Sequence, residues 1–459
     1  AKSLVAVAAI CCSAGLAVSG GPAALADAAT PSVPAAFSGT TVLPAVAITG
    51  STAPAPTAVG ITALLAPIIA QGPWTNASAV VIDPATHVVL YQRDYKRPTA
   101  PASTLKTLTS LTALTALGAD TRLRTRVLRD GGGVVLVGAG DATMTRHAGI
   151  VDGAATASLD SLAKATAAAL KKEGITTTRV SFDDSLFTGP VLSPGWSSGL
   201  VAAGEISPVM ALSANQGRVG AGAETRSADP ALAAARYFAS VLESDGITVN
   251  GQAARAKEPA DAPEIAGATS PSIAEMVEYA LTTSDNDVAE ALAHLSGLKL
   301  VGSGSFEGGA AATAKVLTAY GIPTAGLKLS DGSGLAKNDR VEAQTLARAI
   351  EAIVTDVAPQ DLAVTSPVGW AVASGMPVAG FSGTLADRYD TDKTKAGRGV
   401  VRAKTGTLTG VVSLAGFVRD REGRLLVFAL LASGVPDIAT GRLSADQFAA
   451  ALATCGCHG

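Results

Sequence analysis

The stretch PTAPASTLKTLTSLTALTALG, residues 98–118, decides how the rest of the chain is read. Its apolar positions from Leu105 to Leu117 predict a helix packed into a core. Ser103 falls in the expected first turn, with Lys106 three residues on. Residues three apart share a helical face, so hydroxyl and amine can point into one cleft, a nucleophile beside a base. Pro101 and the small residues around it suit a helix entrance, where unpaired backbone N–H groups stabilise developing negative charge. A serine and a lysine three apart also occur by chance, so the pair needs support from elsewhere.

A chain of 459 residues exceeds the usual span of one domain, which predicts two or three, each with its own core. The net charge of -3 gives no broad basic footprint for nucleic acid. His87, His147, His294 and His458 lie far apart, which argues against a histidine-based triad and against a multi-histidine metal site.

Residues 1–26 combine Lys2, the apolar tract SLVAVAAICCSAGLAVSG and the small-residue pattern Ala24-Leu25-Ala26. They are read as a secretory signal, with a retained membrane anchor as the alternative. Cleavage would leave Cys455 and Cys457, whose separation is too short for an easy disulfide unless the local backbone is unusual. Their CxC-H tail is only a weak metal signal. Residues 27–55, rich in Ala, Pro, Ser and Thr, are expected to form a mobile leader.

The pattern then predicts a short helix at 60–69 and strands at 79–82 and 88–91, a sheet for the Ser103 helix to pack on. Strands at 123–129, 133–138 and 177–183 with helices at 159–173 and 229–245 make a region of different texture, expected to be an inserted domain. Its GAGDATM segment lacks the frame of a phosphate loop and is read as structural.

Two later segments carry the support that Ser103 needs. Ser284-Asp285-Asn286 stands between two helical patterns, where such residues either cap helices or offer a proton relay and an amide. Lys404-Thr405-Gly406-Thr407 precedes strands at 411–419 and 424–431. It reads either as a solvent-facing strand end followed by a glycine turn, or as a cation and hydroxyls beside an extended peptide that Gly406 lets approach.

The three segments together resemble the SxxK, SxN and KTG signature of penicillin-binding enzymes and serine β-lactamases, in the same order. Further stretches make the chain similar to the low-molecular-mass D-alanyl-D-alanine carboxypeptidases and endopeptidases of the DacB type (penicillin-binding protein 4-like, peptidase family S13). These are SFDDSLF at 181–187, PGW at 194–196, SPVMALS at 207–213, LSDGSGL at 329–335 and VRAKTGTLTG at 401–410.

This resemblance implies an α/β (α+β) fold. A serine β-lactamase/transpeptidase-like catalytic domain of residues 56–120 and 266–455 would be interrupted by a mixed α/β domain of residues 121–265. It implies that Ser103 attacks the carbonyl between two D-alanines, with Lys106 as base and its pKa lowered by burial and by the nearby Lys404 charge. Ser284 would relay the proton to the leaving amine. Asn286 would hold the acyl-side backbone, and the N–H groups of Ser103 and Thr407 would form an oxyanion hole. Lys404, Thr405, Gly406 and Thr407 would bind the terminal carboxylate side of the substrate. Asp331 would shape a turn, and Arg402 would tune the rim.

The implied partners are peptidoglycan stem peptides ending in D-Ala-D-Ala, with β-lactams as covalent inhibitors, no cofactor, no metal and no nucleic acid. The implied location is exported, at the cell envelope. A serine β-lactamase and an inactive wall-binding protein are the alternatives.

Overall fold

The computed structural model describes residues 53–151, 154–220, 223–362 and 368–458. The expected signal, 1–26, and the leader up to residue 52 lie outside the described residues. The first elements are α1 (Ala58–Gln71), β1 (Asn76–Asp83), β2 (Val88–Arg93), α2 (Leu105–Leu117), β3 (Arg122–Asp130), β4 (Gly133–Val137), β5 (Ile150–Val151) and β6 (Ala154–Ala155). There follow α3 (Leu159–Lys172), β7 (Thr177–Thr178), β8 (Val180–Asp183), α4 (Pro230–Ser244), β9 (Thr248–Val249), β10 (Ala254–Arg255) and β11 (Glu264–Ser272). The chain continues through α5 (Ile273–Thr282), α6 (Asn286–Val301), α7 (Phe306–Ala319), α8 (Ala343–Thr355) and α9 (Gly369–Gly375). It ends in β12 (Val401–Leu408), β13 (Val411–Arg419), β14 (Leu425–Ser433) and α10 (Ile438–Ala453).

One sheet runs β12-β13-β14-β1-β2, with every pair antiparallel. The period of two along β14 sends Leu426, Phe428 and Leu430 into a core with α1 and α10. It sends Val427, Ala429 and Leu431 into a second core with α2, α5, α6 and α8. A strand buried on both faces has no solvated side on which to place a polar residue, which accounts for the run LLVFALLA. Each Leu, Val or Phe of this run stabilises by about 1.5–3 kcal/mol relative to exposure.

A second sheet runs β10-β8-β4-β3-β11. Its apolar face (Val127, Leu136, Phe182) is covered by α3 and α4 through Leu162 and Phe238. The expected strand at 177–183 divides in two because the chain changes partner at Arg179: β7 pairs with β9, and β8 with β4. The boundary expected between 265 and 266 falls inside β11, which keeps pairing with β3 as far as Ser272. It then passes straight into α5, where Ser272 and Glu275 form a capping box.

Cys455 and Cys457 form a disulfide, against the expectation from their spacing. The chain turns as it leaves α10, with the Cys455 N–H donating to Leu452 O at 3.1 Å, and the two Cα atoms lie 5.1 Å apart, within the ordinary range. The Cys457 carbonyl then accepts the Thr57 N–H at 2.8 Å, tying the tail to the start of α1. Among the described residues, no helix is long and apolar enough to cross a membrane.

Candidate functional site

Ser103 sits in a 3-10 turn, Ala102–Thr104, that leads into α2, and Lys106 lies in the first turn of that helix. Ala102 adopts a φ of 47°, a left-handed value that strains any residue with a Cβ. Packing enforces it: Ala102 is fully buried, and Pro101 O accepts the hydroxyls of Thr104 and Ser413, each at 2.6 Å. The Lys106 side chain is 0% exposed. Its Nζ lies 3.2 Å from Ser103 Oγ, 2.7 Å from Asn286 Oδ1 and 2.7 Å from the Ser333 carbonyl oxygen.

Ser284 is also left-handed, at φ 62°. Asp285 caps α6, its Oδ1 accepting the Val288 N–H at 2.8 Å, so the capping reading holds for the middle residue of the tripeptide. Asn286 opens the helix, and besides facing Lys106 its Nδ2 donates to Glu205 O at 2.8 Å.

Lys404 is 0% exposed, and its Nζ donates to Ser284 Oγ at 2.9 Å and to Thr405 O at 3.0 Å. The solvent-facing strand end considered above is therefore wrong, and β12 runs unbroken through Gly406 to Leu408. A Cβ at Gly406 would meet Ser413 Oγ at 2.1 Å and Pro101 O at 2.8 Å, so only glycine lets the strand lie against the Ser103 turn. The Ala403 N–H donates to Pro377 O at 3.0 Å across the edge of the sheet. Alternation along the strand turns the Thr405 and Thr407 N–H groups the same way, away from β13.

Behind Lys106 lies a loop, 331–334, that the sequence showed only as a turn. Asp331 shapes it, accepting the N–H groups of Gly334 at 2.8 Å and Ala336 at 2.7 Å and the indole N–H of Trp196 at 2.7 Å. Gly334 has a φ of 84°, and a Cβ there would lie 2.0 Å from Ala102 O. Gly334→Ala is therefore expected to cost about 1–3 kcal/mol and to displace Ser103. Thermal unfolding and penicillin acylation check this, and an unchanged melting temperature would refute it.

Residues between β8 and α4 close the site from the other side. Arg226 pairs with Asp287 at 3.3 Å, Ser207 N–H donates to Asp287 Oδ1 at 2.9 Å, and Gln216 Nε2 donates to Asp285 Oδ2. Arg226 also donates to Gln216 O and to Gly204 O, bracing the segment that holds Asn286. Sequence reading missed Arg226 and Glu290. Arg226 leaves no local signal, whereas Glu290 is a charged residue within the apolar segment Val288–Ala293 of α6, one turn after Asn286.

Burial pushes the Lys106 amine down to about 8, with the Asp331, Glu290, Asp285 and Asp287 carboxylates pulling the other way. Of the two expected causes, burial lowers Lys106, and a Lys404 charge is not among the causes acting on it. Lys404 is itself held well below the ordinary lysine value by burial and then by Lys106. Among the described residues, no three His, Cys, Asp or Glu side chains are grouped so as to hold a metal ion.

The family model described as D-Ala-D-Ala carboxypeptidase 3 (S13) family matches residues 61–228 and 220–454. The chain is 34% identical over 443 residues to Carboxypeptidase DacB of Mycolicibacterium smegmatis, covering 94% of this chain and 91% of that one. It is 34% identical over 428 residues to a carboxypeptidase of Mycobacterium tuberculosis, covering 91% and 88%. The crystal structure of penicillin binding protein 4 (dacB) from Haemophilus influenzae superposes with a TM-score of 0.69 at 21% identity, covering 85% of this chain and 97% of that one.

Proposed function

Because the chain belongs to the D-Ala-D-Ala carboxypeptidase 3 (S13) family, we propose that it cleaves peptidoglycan stem peptides ending in D-Ala-D-Ala through an acyl-enzyme on Ser103. The observation that carries this reading is the set of three partners around Lys106 Nζ. A neutral amine has two N–H groups and one lone pair. With Asn286 Oδ1 and Ser333 O each taking an N–H, the lone pair is left for the Ser103 hydroxyl, and burial favours that neutral form.

Ser103 Oγ then attacks the carbonyl carbon, and the oxygen that gains charge is received by the N–H groups of Ser103 and Thr407. Loss of one such donor slows chemistry about a hundredfold to a thousandfold. Ser284 relays to the leaving amine the proton that Lys106 took from Ser103, D-alanine departs, and water hydrolyses the ester, returning the proton to the Ser103 hydroxyl. Asn286 doubles as the contact to the acyl-side backbone. Lys404, Thr405 and Thr407 receive the terminal carboxylate, with Gly406 letting the strand lie close, and the carboxylate's arrival favours the charged form of Lys404. A β-lactam offers a reactive acyl group and a carboxylate to the same residues, so penicillin acylates Ser103.

The same reading takes the region from residue 121, expected to end at 265 and extended by β11 to Ser272, as the inserted domain, supported by its sheet and apolar cluster. It takes the protein as exported to the cell envelope. The family assignment disfavours both the β-lactamase and the inactive wall-binding alternatives. A comparison of a stem peptide ending in D-Ala-D-Ala, a cross-linked peptide and a penicillin, following acylation and product release, tests the reading. Release of D-alanine is expected. No release from either peptide by folded protein would overturn it, and rapid repeated penicillin hydrolysis would establish the β-lactamase instead.

A further inference from the structure

Both acceptors that orient the Lys106 amine depend on α6. Asn286 supplies the first directly. One turn along the same helix face, Glu290 reaches the second: its Oε1 accepts the Ser333 N–H at 2.8 Å and the Gly332 N–H at 3.1 Å, and its Oε2 accepts the Gly332 N–H at 3.0 Å. From α2, Thr109 Oγ1 donates to Gly332 O at 2.6 Å, so the loop is gripped from two helices. Glu290 is fully buried, and a carboxyl without such partners would be expelled from this core.

Resting on the reading of Lys106 as the base, we propose that Glu290 is a positioning residue for acylation. By holding the Gly332 and Ser333 amides it fixes the Ser333 carbonyl that takes one Lys106 N–H, and so keeps the lone pair on Ser103. The charged and titratable groups around this centre are Asp331 and Asp339 from the loop, Asp285 and Asp287 at the head of α6, and Lys404 from β12. His294 meets Glu290 only through its backbone carbonyl. Glu290 is one of the carboxylates that raise Lys106, while burial and Asp331 push Glu290 itself up to about 8.

The test measures the rate of penicillin adduct formation across pH for the full chain, Glu290→Ala and Glu290→Gln, with non-covalent penicillin binding and thermal unfolding alongside. Glu290→Ala is expected to acylate about a hundredfold more slowly, with non-covalent binding nearly unchanged. Glu290→Gln should recover most of the rate, because one oxygen already accepts from both amides. Its acid limb should lie at lower pH than in the unsubstituted protein, since a charge that raises Lys106 is gone; a residue that merely fills space would not move that limb.

Near-normal acylation by Glu290→Ala overturns the proposal, as does a Glu290→Gln variant no faster than Glu290→Ala with its limb unmoved. If the alanine variant does not fold, the glutamine profile decides. Absence of any adduct on the unsubstituted protein would overturn the catalytic reading itself and is a separate outcome.

Discussion

Ser103→Ala is expected to form no penicillin adduct, and Lys106→Ala to form one about a hundredfold to ten-thousandfold more slowly, with both variants folded. The two losses have different causes. The first removes the atom that makes the ester, and the second keeps that atom but removes its proton acceptor. Intact-protein mass spectrometry at matched times measures both. A full-rate adduct in Ser103→Ala would displace the nucleophile to another residue, and near-normal acylation of Lys106→Ala would remove the proposed base. The unsubstituted protein should acylate faster as pH rises through about 8, because the base is the deprotonated amine and burial brings its pKa to that value. The mutant rates identify Lys106, since two neighbouring lysines titrate together.

Arg226→Ala is expected to cost about 3–5 kcal/mol, the usual result of stranding one member of a buried ion pair. The side chains of Arg226 and Asp287 are 3% and 9% exposed, so water does not replace the lost partner. The loss should depend on pH. Burial and then Asp285 push Asp287 up to about 7, with Arg226 opposing, so removing the arginine raises it further. A carboxyl with a raised folded-state pKa contributes stability that is present below its unfolded value and lost as pH rises through the folded one. Denaturant unfolding should therefore show a smaller deficit at pH 5 than at pH 8, and equal deficits would refute the ion-pair account. Acylation should slow as well, because Arg226 braces Gly204, next to the Glu205 carbonyl that holds Asn286.

The legible features of this chain are those whose physics is local. The segments 411–419 and 424–431 read as strands, 159–173 and 229–245 read as helices, and the helix-entrance residues marked the Ser103 turn. Even there, the strained φ values of Ala102 and Ser284 left no trace, because neighbouring segments impose them rather than their own sequence. Lys404 reads either as a strand-end lysine or as a site cation until Ser284 and the sheet enclose it. Glu290 and Trp196 act on a loop 42 and 135 residues away in the chain, and Arg226 acts on the head of α6, separations at which no periodic pattern survives. Helices α7, α8 and α9 also went unread, although Leu346, Ile350 and Ile353 in α8 recur at helical spacing.

The pairing of β1 with β14, from Asn76 opposite Ser433 to Ile82 opposite Val427, has a consequence for biosynthesis. As the chain leaves the ribosome, β3, β4, β8, β10 and β11 are complete by Ser272, whereas β1 waits for β14, a partner more than 300 residues further on. Its apolar edge stays open throughout that interval, a hazard for strand-to-strand association between nascent molecules. Closing so distant a contact is slow, because the entropy of the intervening loop opposes it until the pairing forms. If the second sheet folds before the first, it shortens the effective loop, and the region that walls the site then also serves as the spacer that brings the two halves of the first sheet together.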